Sequence, residues 1–146
     1  MKNKVKYFAY GSNMNTDRIK GRISSAECIG IGKLNDYKLV CNKKSTDGSA
    51  KANVEEKEDA EVWGVIFEIN KNDLVFLDRI ERGYKRIEVK IKMGDSVINV
   101  YTYSSGNITK DKRVFSDYKG HIVSGAEENN LPKEYIERLK KKIEVK

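Results

Sequence analysis

The stretch Tyr7-Phe8-Ala9-Tyr10-Gly11-Ser12-Asn13-Met14 decides how the chain is read. Tyr7, Phe8 and Tyr10 carry rings that pack well on a pleated surface, so Val5 to Tyr10 is expected to be a strand. Gly11 admits a close backbone approach or a positive φ. Ser12, Asn13, Asn15 and Thr16 are helix-capping side chains, and Asp17 adds first-turn negative charge, which predicts a short helix over Thr16 to Ile23. A strand that ends in a polar turn and feeds straight into a helix leaves backbone N–H groups without intrahelical partners. Such a turn suits an anion or a developing oxyanion. On these residues alone, a capped turn with no ligand is the simpler reading.

Outward from this stretch, Ala26 to Leu34 reads as extended, with Gly30 and Gly32 loosening it as a bulge would. Tyr37 to Asn42 is a further strand. Lys43 to Asp59 is polar and contains the turn cluster Ser45-Thr46-Asp47-Gly48-Ser49, which predicts a surface loop, one placed to cover a site. Glu61 to Ile69 is a strongly apolar strand with Gly64 inside it. Asn70 caps a short helix over Lys71 to Ile80, in which Leu74, Leu77 and Ile80 recur at helical spacing. Lys85 to Met93 alternates apolar and charged residues, turns at Gly94-Asp95 and pairs back through Ser96 to Tyr103 as a hairpin. Tyr118 to Glu128 and Pro132 to Ile143 are helical, with Pro132 in a first-turn position. A strand-rich middle flanked by helices predicts an α+β fold, a small and mostly closed sheet with helices packed on it.

At 146 residues the chain is expected to form a single domain, residues 1–146, long enough to bury a real core. No run of about 18 apolar residues occurs, so no helical membrane span is expected. The apolar stretch Val5 to Tyr10 is too short and interrupted for a signal-peptide core, so a cytoplasmic location is the expectation. Cys28 and Cys41 are too few for a disulfide framework and have no metal-ligand partners nearby; both are read as free core thiols. The net charge of +7 is spread along the chain among glutamates, which argues for a solvated surface rather than a nucleic-acid interface. The dense run Lys140-Lys141-Lys142 falls at a helix C-terminus, where cations complement the macrodipole. His121 has no constellation suited to a triad, and Trp63 and Met14 are read as core. Arg18 is expected to pair on the surface with Asp17 or Glu27.

Tyr10-Gly11-Ser12-Asn13-Met14 after a first strand resembles the signature of the γ-glutamylcyclotransferase-like family. Further landmarks of that family follow in order: Ala52-Asn53-Val54, then Val62-Trp63-Gly64-Val65, then Leu77-Asp78-Arg79-Ile80-Glu81. Near the C-terminus come Tyr118, Gly125-Ala126, Glu128 and Leu131-Pro132. The likeness covers nearly the whole chain and implies a mixed, mostly antiparallel, barrel-like sheet with flanking helices. It also implies release of 5-oxoproline from a γ-glutamyl-amino acid or γ-glutamyl-amine, with no cofactor and no metal. A small-molecule substrate is implied, no nucleic acid or membrane partner is expected, and a homodimer is compatible.

By family position Glu81 is the catalytic carboxyl, acting as base and then as acid. The substrate cradle is Tyr7, Phe8, Ala9, Tyr10, Gly11, Ser12 and Asn13, with Tyr118 offering its hydroxyl. One departure stands out: relatives place several residues between this Glu and a following Tyr, whereas here Arg82-Gly83-Tyr84 follows at once. The turn is shortened, which leaves the substrate open and places Arg82 to hold an anionic group. Two other readings accompany this one: a non-catalytic small-anion-binding module of the same fold, and an acyltransferase that deprotects a γ-glutamyl-amine.

Overall fold

The computed structural model describes residues 3–146. Among them, the strands are β1 (Lys4–Ala9), β2 (Glu27–Lys44), β3 (Ala50–Asn70), β4 (Lys85–Met93) and β5 (Ser96–Ser104). They close into a barrel in the order β1-β3-β2-β4-β5. Neighbours run antiparallel except at the closure, where β1 meets β5 in parallel with Tyr7 opposite Tyr101. The helices are α1 (Thr16–Arg22), α2 (Leu74–Ile80), α3 (Ser116–Glu128) and α4 (Lys133–Lys142). The mixed, mostly antiparallel barrel with flanking helices is the fold that the sequence predicts.

One expectation is corrected. The polar run Lys43 to Asp59 is not a surface loop: residues from Ala50 onward open the 21-residue strand β3, and only the turn around Asp47 connects it to β2. Leu39 lies opposite Val54, and Lys38 opposite Glu55. The two strands run on as a long hairpin, broken by a bulge where Asn35 faces Glu61 but Tyr37 faces Glu56. Asp36 and Asp59 both adopt positive φ there, and the Asp36 carboxylate accepts the Asp59 N–H at 3.1 Å. Aspartate tolerates this conformation better than most residues, because its short side chain bonds locally.

Two glycines let the elements approach. A Cβ at Gly64 would stand 2.5 Å from the Ala9 carbonyl oxygen, so β3 passes β1 this closely only as glycine. A Cβ at Gly125 would meet the backbone of Met14 and Asn15 at 2.5 Å, which brings α3 directly onto the polar turn. That turn, Ser12–Met14, is a single turn of 3-10 helix. Helix α3 holds it in place. Asn129 Nδ2 donates to the Met14 carbonyl at 3.0 Å, Asn15 Nδ2 donates to Ser124 Oγ at 2.9 Å, and Glu128 accepts the Thr16 N–H at 2.6 Å. The Gly125-Ala126-x-Glu128 landmark is therefore a clamp on the turn.

The core inside and beneath the barrel is built from Phe8, Phe67, Met14, Ile19, Ile66 and Leu77, all sealed from solvent. Met14 is core, as expected, and Trp63 is half-buried against it. Cys41 is buried, but Cys28 is exposed, so only one of the two thiols belongs to the interior. Residue 28 opens β2 just before the register shift at Gly30, at the rim of the barrel.

Candidate active site

A cavity of about 540 Å³ opens where the polar turn, the C-terminus of α2 and the β2–β3 hairpin meet. This volume is within the range of small-molecule sites. Tyr7, Tyr10, Gly11, Ser12, Asn13, Tyr118 and Glu81 all line it. Phe8 and Ala9, also expected in the cradle, do not. Alternation along β1 sends the Phe8 ring away from Tyr7, toward Gly64, and both Phe8 and Ala9 are consumed by barrel packing.

Glu81 ends α2 and donates its backbone N–H to Leu77 at 2.8 Å. Its Oε1 accepts from Asn13 Nδ2 at 2.8 Å, a contact that spans 68 residues of sequence and ties the α2 terminus to the polar turn. The other Asn13 amide proton points at the Tyr7 hydroxyl, 3.1 Å away, while Asn13 Oδ1 accepts from Arg22 at 3.1 Å. A guanidinium on the oxygen and a carboxylate on the nitrogen fix the orientation of this amide. Burial pushes the Glu81 pKa up; Arg22, Lys43, Arg18 and the Asn13 hydrogen bond pull the other way without cancelling it.

Ala52 organises the opposite wall. Its N–H donates to the Tyr118 hydroxyl at 2.9 Å, and its carbonyl accepts from the Tyr84 hydroxyl at 2.6 Å. The Tyr118 oxygen is thus an acceptor to the backbone, which leaves its own proton for the cavity. Desolvation raises the pKa of Tyr118, Tyr84, Tyr7 and Tyr10 alike, so each acts as a neutral hydroxyl. Asn53, wholly buried, donates to Asn42 Oδ1 and the Ser105 carbonyl and accepts from the Ser105 N–H, stitching the hairpin to the chain after β5. The Ala52-Asn53-Val54 landmark is structural support for two tyrosines.

The lining is strongly basic. Arg18, Arg22, Lys43, Lys44, Lys51 and Arg82 face one carboxylate, Glu81. Arg18 does not pair with Asp17 or Glu27; its Nε donates to Ser12 Oγ at 3.1 Å. Lys51 is held by Asp47 at 3.0 Å and lies 4.6 Å over the Tyr118 ring. Arg82 sits exposed at the rim. The sequence reading missed Arg22, Lys43, Ala52 and Tyr84. Ala52 lies within a landmark, but the others carry no local pattern: Arg22 ends α1, Tyr84 follows α2, and Lys43 belongs to the hairpin rather than to a loop.

Residues 61–139 match the model of a family described as the AIG2-like family. The chain is similar to human γ-glutamylcyclotransferase, with 36% identity over 144 residues that cover 92% of this chain and 76% of the relative. The mouse γ-glutamylcyclotransferase is 35% identical over the same length and the same shares. A solved structure described as γ-glutamyl cyclotransferase superposes with a TM-score of 0.90 at 35% identity, covering 99% of this chain and 90% of that one.

Proposed function

The chain belongs to the AIG2-like family and is a γ-glutamylcyclotransferase-like enzyme, and on that premise we propose that Glu81 carries the proton in a cyclisation releasing 5-oxoproline from a small γ-glutamyl substrate. The observation that carries this reading is the Asn13–Glu81 hydrogen bond, which joins the polar turn to a partly buried carboxylate inside one basic cavity.

The substrate's α-amine attacks its own γ-carbonyl, and the ring C–N bond forms. Collapse of the tetrahedral intermediate then breaks the original amide C–N bond and frees the leaving amine. Glu81 accepts the proton lost by the attacking nitrogen and returns it to the leaving nitrogen, so the carboxylate ends as it began. A raised pKa makes Glu81 a better base for the proton that the attacking amine loses, and burial supplies the raise. Nucleophile and electrophile belong to one molecule, so holding the bent conformer is worth an effective molarity of about 10⁵ M or more.

The backbone N–H groups of Ser12 and Asn13 precede the first hydrogen bond of the turn, which Met14 donates to Gly11. With the Tyr118 hydroxyl they are the donors for the oxyanion or the substrate carboxylate. The test is a panel of γ-glutamyl-amino acids and γ-glutamyl-amines, glutathione included, with 5-oxoproline followed by mass spectrometry. Wild type is expected to release product and Glu81→Gln to lose about 10²-fold or more of the rate. Equal rates would move the base to another residue.

A further inference from the structure

Lys43 is 8% exposed, yet its ammonium has no carboxylate within ion-pair distance and no hydrogen-bond acceptor among the described residues. It comes from β2 and lies 4.9 Å over the Tyr84 ring, packed on the shortened turn at Gly83. The stem is buried while the unpaired ammonium opens on the cavity, where an anion can meet it. The five other cations of the cavity differ from it. Arg18 and Arg22 are engaged with Ser12 and Asn13, Lys51 with Asp47, and Lys44 and Arg82 are exposed. Burial also lowers the Lys43 pKa, with Glu81 opposing, as expected for an ammonium facing a partly dry cavity.

We infer that Lys43 is a specificity-determining residue that holds a carboxylate on the leaving amine of the substrate. This rests on the cyclisation proposed above. The polar turn, Arg18 and Arg22 all lie on the segment from Gly11 to Arg22 and serve the glutamyl end, whose amine must reach Glu81. Lys43 reaches Glu81 from a different element, the hairpin, and sits against the residues that follow Glu81. An anion bound there belongs to the other end of the substrate.

The experiment compares γ-glutamyl-L-alanine with γ-glutamyl-L-alaninamide, which differ only in the carboxylate of the leaving group. Wild type is expected to favour the acid by about 10- to 100-fold in kcat/KM, the scale of one hydrogen bond to a charged group. Lys43→Met is expected to erase that preference by slowing the acid far more than the amide, and Lys43→Arg to restore much of it. Loss of the Lys43 charge also lifts the Glu81 pKa, so both rates are read on the pH plateau above the Glu81 limb, where the residual amide turnover of Lys43→Met reports a folded variant and a working Glu81. Equal loss on both substrates would place Lys43 at the glutamyl carboxylate or behind Glu81 and overturn the inference. A wild type with no preference would overturn it as well. Release of 5-oxoproline from neither substrate would instead overturn the cyclisation itself, and the inference with it.

Discussion

Glu81 sits where two influences oppose each other. Desolvation favours its neutral form, while Asn13, Arg22, Lys43 and Arg18 favour the ion, and desolvation prevails. Activity that requires the ion is expected to fall as pH drops through an apparent pKa above the ordinary carboxylate range, an acid limb read from kcat/KM against pH. The same shift has a stability consequence of fixed sign. A carboxyl whose folded pKa exceeds its unfolded value adds stability that is fully present below the unfolded pKa and is lost as pH rises through the folded one. Above that folded pKa the wild type therefore bears an ionised, desolvated carboxylate that glutamine does not. Glu81→Gln is expected to melt no lower than wild type at neutral pH and to lose that advantage in mild acid, as thermal denaturation at the two pH values would reveal. A clear loss of Tm at neutral pH would mean that the Asn13 and arginine contacts outweigh burial. Glu81 and Asn13 were legible in the sequence because each sits in a short landmark. Lys43 was not, since a lysine in a polar run has no local mark of burial.

Elements pose a different question, that of what lets α3 lie on the polar turn. A methyl group at Gly125 would collide with main-chain atoms of Met14 and Asn15, which cannot swing aside as a flexible side chain would. Gly125→Ala is expected to cost about 1–3 kcal/mol of stability and, by displacing Ser12 and Asn13, to lower turnover as well. Gly21 in α1 faces open space, so Gly21→Ala should instead gain about 0.5–1 kcal/mol. Urea midpoints of the two variants provide the check, and a neutral Gly125→Ala would mean the turn and α3 yield together. At this scale the hairpin β2–β3 was the part the sequence hid. Its outer residues, Glu55 to Asp59, are polar because little packs on them, and hairpin pairing there rests on backbone hydrogen bonds that composition does not record. The apolar half of β3 and the alternating β4–β5 hairpin were legible because burial of one face imposes period two.

Across the whole molecule, the net charge is +7, and ion pairs with half-exposed partners, such as Lys33 with Glu61 and Arg86 with Asp78, are each worth little. At the cavity the balance is lopsided: six cations line it against a single carboxylate. Low-dielectric walls focus such a field and raise the local concentration of anionic substrate. Screening at about 0.1 M salt acts beyond about 10 Å, so it weakens the approach of substrate more than contacts already made inside the cavity. For a γ-glutamyl-amino acid, KM is therefore expected to rise about two- to five-fold from low to high ionic strength while kcat stays level. A substrate with a neutral leaving group, carrying one fewer negative charge, should show a shallower rise. Steady-state kinetics over a salt series would separate the two. A KM indifferent to salt would mean that recognition rests on short-range donors, the Ser12 and Asn13 N–H groups and the Tyr118 hydroxyl, and that the basic lining serves to hold Asn13 and Glu81 in place.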